Sequence, residues 1–335
     1  MKEKYNQKNK HFSFLKTFYK SFSFWIIFIL AFVIFFTYVF YIPSLNNTFK
    51  PNNTLLNPAL LFLEKKNRIV DFQKLREYLT NTYENRSDYM VSIYFEYLPT
   101  GANISVNKDE KIWPASLIKI PVTMSVMKKV QDKKWKLTNE LVILDEDKDS
   151  EYGELYKTPT GTTSTVKEFL EKSLIDSDNT AHFVLLRNLD GAELEDVYVH
   201  LGLDDVIEAL KKSPKKESEV DNRITAKRYS IFFRSLYNAT YLDQEYSELF
   251  LNILSNAPRD LLGRGLPEDI IFVHKTGVRI DESVRADSGI VYAKGRPYLL
   301  TVMIQKKNGK LDENEVSLLF ENISKNVYKY VTKDN

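Results

Sequence analysis

The chain contains no cysteine and only four histidines among its 335 residues. The missing cysteines exclude disulfides, thiolate metal sites and a cysteine nucleophile. His182 and His200 lack the spacing of metal ligands, and His274 reads as a core residue, so we predict neither a metal nor a cofactor. The chain also has almost no net charge, because its 47 Lys and Arg residues are nearly balanced by 45 Asp and Glu residues. The composition therefore gives no reason to expect a nucleic-acid partner.

The first 42 residues differ in composition from the rest. Residues 1–20 carry six lysines and one glutamate, and residues 22–42 contain no charge. As a helix, that uncharged run would rise about 31 Å, enough to cross the hydrocarbon layer. It ends in bulky side chains at 38–42, whereas a cleaved signal peptide has a shorter core and small residues before its cleavage site. We predict a cytoplasmic basic tail and an uncleaved anchor over 21–42, with the rest of the chain outside the cell membrane.

The remainder divides into a linker and one large domain. Residues 43–62 are rich in asparagine and proline, which favour turns and extended chain over packing. Residues 63–335 are long enough for a substantial core. Helical and strand-like patterns both occur there, so periodicity alone predicts a mixed α and β domain.

Three short motifs carry the functional signal. In chain order they are Ser116-Leu117-Ile118-Lys119, Ser177-Asp178-Asn179 and Lys275-Thr276-Gly277. The second and third occur once each, but Ser-x-x-Lys occurs six times. The other copies begin at Ser13, Ser105, Ser125, Ser164 and Ser213. Only Ser116 combines the start of a predicted helix with a suitable distance to both of the other motifs.

A serine and a lysine three residues apart at a helix start can act together. They share one face, so the ammonium reaches the hydroxyl. A serine hydroxyl needs a base to become a nucleophile, and a lysine buried beside other cations can be neutral enough to serve. The backbone N–H groups of Ser116 and Val278 are predicted to form an oxyanion hole.

The motifs resemble those of the penicillin-recognising serine acyltransferases. The surrounding segments, such as Pro114-Ala115-Ser116, His274-Lys275-Thr276-Gly277 and Asp287-Ser288-Gly289, resemble the class A β-lactamase-like serine hydrolases over about residues 65–332. This resemblance implies an α+β fold for 63–335: a five-stranded antiparallel sheet, flanked by helices, with an inserted all-helical lobe. With the anchor, the expected architecture is one N-terminal transmembrane helix and a β-lactamase/transpeptidase-like catalytic domain.

The resemblance also implies roles for the motif residues. Ser177 would relay a proton to the leaving nitrogen, and Asn179 would hold the amide of the substrate. Asp178 would fix the loop, although Ser177 and Asp178 also fit a helix N-cap. In the third motif Lys275 would attract a substrate carboxylate and Thr276 would offer a hydroxyl. Gly277 would let the substrate backbone lie along the strand edge.

The chain departs from the family where deacylation is concerned. Class A β-lactamases use a glutamate on a loop that would lie between Leu203 and Thr225 here. The usual pattern is missing from this loop, and the candidates by composition alone are Glu208, Glu217 and Glu219. Phe183 occupies the place of an asparagine that contacts that glutamate. Ser288 occupies the place of a substrate-binding arginine, for which Arg279 and Arg285 are unranked substitutes.

We therefore expect a membrane-anchored, extracytoplasmic serine hydrolase that forms an acyl-enzyme on Ser116 with β-lactams or D-alanyl peptides and releases it slowly. Two alternatives remain open. The first is a D,D-carboxypeptidase or transpeptidase of cell-wall peptides, which would hydrolyse a D-Ala-D-Ala peptide. The second is a β-lactam or muropeptide sensor, which would bind without turnover. The sequence leaves the oligomeric state open.

Overall fold

The computed structural model describes residues 25, 29–36, 64–69, 71–212, 222–279, 281 and 283–333. The chain divides into two units, Met1–Leu61 and Phe62–Asn335. Within the first unit, residues 29–36 are helical, and most of the predicted anchor lies outside the described residues. No helix within the described ranges has both the length and the apolar character needed to cross a membrane.

The second unit is built on a five-stranded antiparallel sheet in the order β2-β1-β7-β6-β5. Its strands are β1 (Tyr89–Tyr97), β2 (Ala102–Val106), β5 (Phe272–Val278), β6 (Val284–Val291) and β7 (Tyr298–Lys306). A shorter two-stranded ribbon pairs β3 (Glu140–Val142) with β4 (Thr163–Thr165). The predicted five-stranded antiparallel sheet is therefore confirmed.

Nine helices are described in this unit. In chain order they are α1 (Gln73–Tyr83), α2 (Lys119–Gln131), α3 (Val166–Leu174), α4 (Asn179–Arg187), α5 (Gly191–His200), α6 (Asp204–Lys212), α7 (Ala226–Asn238), α8 (Gln244–Leu254) and α9 (Glu313–Thr332). Helices α2 to α8 lie in sequence between β2 and β5. The inserted lobe is thus present, but the β3–β4 ribbon lies within it, so it is not entirely helical as predicted.

The sheet separates two hydrophobic cores because side chains alternate along its strands. On β7, Leu300 and Val302 pack in a core with Leu79 of α1 and Phe320 of α9. Met303 packs on the opposite side, in a core with the helices of the inserted lobe. Strands buried on both faces give the site a rigid support at one edge of the sheet, where β5 lies.

The local structure differs from the sequence prediction at Ser116. A helix was expected from about Ser116, but Ala115–Ile118 forms a 3-10 turn and α2 begins at Lys119. Pro121 explains the difference, because it has no N–H to donate to the carbonyl of Leu117, four residues earlier. The hydroxyl of Tyr229 donates to that carbonyl instead, at 2.9 Å.

Three further elements were missed or misplaced. The sequence pattern gives no separate bounds for helices α5 and α6, and it indicates a strand only from Gly289, whereas β6 begins at Val284. The start of α5 did carry a signal. The side chain of Asp190 accepts a hydrogen bond from the N–H of Glu193, and the side chain of Glu193 accepts one from the N–H of Asp190. This reciprocal pair is a capping box.

Candidate active site

Ser116 lies on the 3-10 turn, where β5 approaches it closely. Ala115 adopts a left-handed conformation, with φ of +51°. A Cβ on Gly277 would lie only 2.7 Å from the carbonyl oxygen of Pro114. Glycine at this position therefore allows the edge of β5 to pack against the turn that carries Ser116.

Lys119 joins the first two motifs through its ammonium group. Its Nζ lies 3.3 Å from Ser116 Oγ and 2.6 Å from Asn179 Oδ1. It also donates to the carbonyl of Ser177 at 2.8 Å. The residue is only 2% exposed. The side chain is thus held by fixed acceptors within reach of the serine hydroxyl, as the spacing predicted.

The second motif is held by the carboxylate of Asp178. Its Oδ1 accepts from the N–H of Ala181 at the start of α4, at 2.9 Å. Its Oδ2 accepts from the N–H groups of Glu154 and Leu155, at 2.7 and 2.9 Å. Asp178 therefore caps the helix and also ties the neighbouring loop to it. Ser177, just before it, takes a left-handed φ of +55°.

Lys275, in the third motif, contacts the hydroxyl of Ser177. Its Nζ donates to Ser177 Oγ at 2.9 Å and to the carbonyl of Thr276 at 3.1 Å. Lys119 Nζ lies 3.4 Å from the same hydroxyl oxygen. Burial, and next the charge of Lys119, lower the pKa of Lys275 to about 7. One serine hydroxyl thus lies between two buried lysines, which is an arrangement suited to moving a proton.

A cavity of ≈ 900 Å³ opens beside this network. Ser116, Lys119, Asn179 and Val278 line its polar part. The apolar part is lined by the side chains of Phe183, Leu186, Leu194, Tyr198 and Ile207. The cavity is large enough for a drug-sized or peptide ligand, with the nucleophile at its polar wall.

The structure distinguishes the two arginines that the sequence left unranked. Arg279 lines the cavity, and its guanidinium lies 4.2 Å from the centre of the Trp113 ring. Both arginines are ion-paired, Arg279 Nε with Asp281 at 2.8 Å and Arg285 with Glu313, but of the two only Arg279 lines the cavity. Ser288 pairs with Lys275 across the sheet and is fully buried against Thr301. Arg279 is therefore the better placed of the two candidates for contact with a ligand in the cavity.

The histidines of this region are not arranged as catalysts or ligands. His274 is buried, with its Nδ1 2.9 Å from Asp287 Oδ1, and it stacks on Phe272. His182 lines the cavity, where burial and then the charges of Lys119 and Lys275 lower its pKa to about 3, so its ring is neutral. Among the described residues, no group of acidic or histidine side chains could hold a metal ion.

Of the glutamates proposed for deacylation, the structure describes only Glu208. Glu208 is exposed on α6 and does not line the cavity, whereas Glu217 and Glu219 lie outside the described residues. Three carboxylates of the cavity wall, Asp149, Glu151 and Glu195, were not predicted from the sequence. None stands at a fixed spacing from a motif, so the sequence carried no signal for them.

Comparisons with known proteins agree with this geometry. The model of the beta-lactamase enzyme family matches residues 74–331. The chain belongs to that family. A beta-lactamase of Bacillus licheniformis is 26% identical over 264 residues, covering 76% of this chain and 82% of the relative.

Solved structures show the same fold. PBP-A is 23% identical with a TM-score of 0.68, covering 77% of this chain and 96% of its own. A beta-lactamase from Sphaerobacter thermophilus is 22% identical with a TM-score of 0.67, covering 78% and 98%. The expected α+β β-lactamase/transpeptidase-like fold is confirmed, and the chain is a serine hydrolase of the beta-lactamase family.

The lowered pKa of Lys275 predicts how substrate binding depends on pH. The amine is charged below about pH 7 and loses its charge above it, so its attraction for a carboxylate is present at low pH and lost as pH rises. The penicillin concentration that gives half-maximal acylation of Ser116 should rise about tenfold from pH 6 to pH 9, equivalent to about 1.4 kcal/mol. Lys275→Arg should flatten this profile, because a guanidinium stays charged. A flat profile for the unmodified protein would contradict the assignment.

Proposed function

We propose that this hydrolase forms an acyl-enzyme on Ser116 with β-lactams or D-alanyl peptides and releases it slowly. The observation that carries the proposal is the continuous chain of contacts from Ser116 through Lys119 and Ser177 to Lys275. These contacts join a nucleophile and a base that line the cavity, Ser116 and Lys119, to a proton relay and a cation buried next to them, Ser177 and Lys275. These are the groups that acylation by an amide or a β-lactam requires.

The acylation step follows from these contacts. Lys119, when neutral, takes the proton of Ser116, and Oγ attacks the carbonyl carbon of the substrate. The N–H groups of Ser116 and Val278 stabilise the oxyanion of the tetrahedral intermediate. When the C–N bond breaks, Ser177 gives its proton to the leaving nitrogen and regains one from a lysine. Lys275 holds the substrate carboxylate during both steps.

Two relatives support β-lactams as ligands. The Bacillus licheniformis relative is named a beta-lactamase. A mutant of PBP-A has been solved as an acyl-enzyme complex with penicillin G, with a TM-score of 0.67 to this chain. Both names concern those proteins, and they favour the same type of ligand for the cavity beside Ser116.

Slow release of the acyl group is supported by the apolar side chains that line the cavity. Phe183 stands where the family has an asparagine, and its ring lies 5.4 Å from that of His182. Leu186, Leu194 and Ile207 extend this apolar surface along the cavity. Apolar side chains cannot orient or deprotonate a water molecule. These apolar side chains offer the ester on Ser116 no group that would activate water, and the carboxylates that do line the cavity, Asp149, Glu151 and Glu195, do not come from the loop that supplies the glutamate in the family.

The same features fit two other activities. A D,D-peptidase of cell-wall peptides would use the same acylation groups and pass the acyl group to water or an amine. A sensor of β-lactams or muropeptides would stop at the acyl-enzyme. The apolar wall favours a long-lived acyl-enzyme, and hydrolysis of a D-Ala-D-Ala peptide would favour the peptidase.

We further propose that residues 21–42 anchor the protein in the cell membrane, with residues 63–335 outside. The support is the sequence alone: six lysines before an uncharged run. In intact protoplasts, added protease should degrade the domain that carries Ser116 and leave an anchored stub. Protection of that domain, or a mature N-terminus after residue 42, would contradict this topology.

The nucleophile is tested by labelling with a fluorescent penicillin. Ser116→Ala should abolish labelling, and Lys119→Ala should slow it about 10²-fold or more, as loss of a general base typically does. The matched controls are alanine variants of the other Ser-x-x-Lys serines, such as Ser125→Ala and Ser164→Ala, which should label at the normal rate. Label that persists in Ser116→Ala would overturn the assignment.

The lifetime of the acyl-enzyme is tested after free penicillin is removed. Help from a general base is typically worth about 10²–10⁴-fold, so without it the mass increase on Ser116 should persist for minutes. Steady-state hydrolysis of nitrocefin should then be small. Turnover at about ten per second, an ordinary enzyme rate, would refute slow release. In that case Glu195→Gln, Glu208→Gln, Glu217→Gln and Glu219→Gln should be compared for the variant that traps the acyl-enzyme.

A further inference from the structure

Asp149 connects the cavity wall to the second motif. Its Oδ1 accepts from Asn179 Nδ2 at 2.8 Å and from the N–H of Glu151 at 2.9 Å. Its own N–H donates to Thr180 Oγ1 at 3.1 Å. Asp149 is thus held by hydrogen bonds of both its backbone and its side chain, and it also lines the cavity.

The contact between Asp149 and Asn179 determines which way the side-chain amide of Asn179 points. Asn179 Oδ1 accepts from Lys119 Nζ at 2.6 Å, while Nδ2 donates to Asp149. An amide can rotate by half a turn at little steric cost, because its oxygen and nitrogen are similar in size. After such a rotation, Nδ2 would face Lys119 and Oδ1 would face the carboxylate of Asp149.

The rotated amide would obstruct acylation. A neutral Lys119 must offer its lone pair to the proton of Ser116, and an amide N–H pointing at Nζ would occupy that lone pair. The carboxylate of Asp149 opposes the rotation because an ionised carboxylate only accepts hydrogen bonds and repels the amide oxygen. In the observed orientation, the second N–H of Asn179 remains available for the substrate.

We propose that Asp149 is a positioning residue for acylation: it fixes the Asn179 amide so that the oxygen faces Lys119 and one N–H serves the substrate. The inference rests on the proposed acylation of Ser116 and assigns a role to a side chain outside the three motifs. It follows from the chain of contacts Lys119–Asn179–Asp149.

The test measures the rate of Ser116 acylation by a fluorescent penicillin, with the full-length protein in detergent. Asp149→Ala should slow acylation about tenfold or more, the effect of losing one hydrogen bond to a charged group. Asp149→Asn should slow acylation less than Asp149→Ala and stay within about threefold of the unmodified rate, because the N–H of Glu151 holds the amide oxygen where it still accepts from Asn179. Asp145→Ala is the matched control, since this exposed aspartate of the same loop contacts Thr160, and it should label normally.

A double-mutant cycle separates positioning from general support of the loop. If Asp149 acts through Asn179, adding Asp149→Ala to Asn179→Ala should cost less than about a further twofold. Full additivity of the two losses would overturn the proposal, as would normal labelling of Asp149→Ala. Equal losses for Asp149→Asn and Asp149→Ala would also contradict it, because the accepting oxygen would then be irrelevant.

An exchange of the two side chains covers the case in which Asp149→Ala does not fold. Asn179→Asp would place two carboxylates against each other, and the double variant Asp149→Asn with Asn179→Asp restores a donor and an acceptor. The exchange variant should label at least about tenfold faster than Asn179→Asp alone, and equal rates would overturn the proposal. If the unmodified protein does not label at all, the proposed function fails instead.

Discussion

Two buried lysines that share one serine hydroxyl are the constraint on which the site depends. Lys119 and Lys275 are each 2% exposed, and both ammonium groups lie within hydrogen-bond distance of Ser177 Oγ. Burying two like charges side by side is costly, so the arrangement favours the loss of a proton from one of them. A lysine without its proton can act as a base, which is what the proposed acylation of Ser116 requires.

Such a pair persists only when each amine has fixed acceptors. Lys119 donates to the side chain of Asn179 and the carbonyl of Ser177, and Lys275 donates to the carbonyl of Thr276. These acceptors belong to Ser177 in the loop before α4, to the first residue of α4 and to the end of β5. The loop and the strand each also make a close contact at a glycine. Gly277 allows β5 to meet the turn of Ser116, and a Cβ on Gly153 would overlap the carboxylate of Asp178.

The fold and the motif residues could be predicted because both leave local patterns. The strands carry β-branched and aromatic residues, and the motifs stand in a fixed order with specific residue types. Strand β6 shows where prediction fails. The strand-like pattern in the sequence begins only at Gly289, so it assigns no register to Arg285. In the structure β6 begins at Val284, and Arg285 pairs with Val278 across the sheet and binds Glu313. Without that register, the sequence could not show that Arg279 lines the cavity and Arg285 does not.

Asp149 and Glu195 were missed for a different reason. Their positions depend on how a loop and a helix fold back onto the cavity, and contacts of this kind leave no spacing in the sequence. The 3-10 turn at Ser116 was also missed, although its cause, Pro121, could be read. Proline is tolerated in the first turn of a helix, but Pro121 leaves the carbonyl of Leu117 without a helical partner, so the α-helix begins only at Lys119.

The central claim is tested most directly by locating the acyl group on the unmodified protein. Trypsin releases residues 112–119 as one peptide, in which Ser116 is the only hydroxyl, and residues 173–187 as another, which carries Ser173, Ser177 and Thr180. After exposure to penicillin and an acid quench, mass spectrometry should find the added mass on the first peptide and none on the second. Acylation of the second peptide, or of neither, would contradict the account.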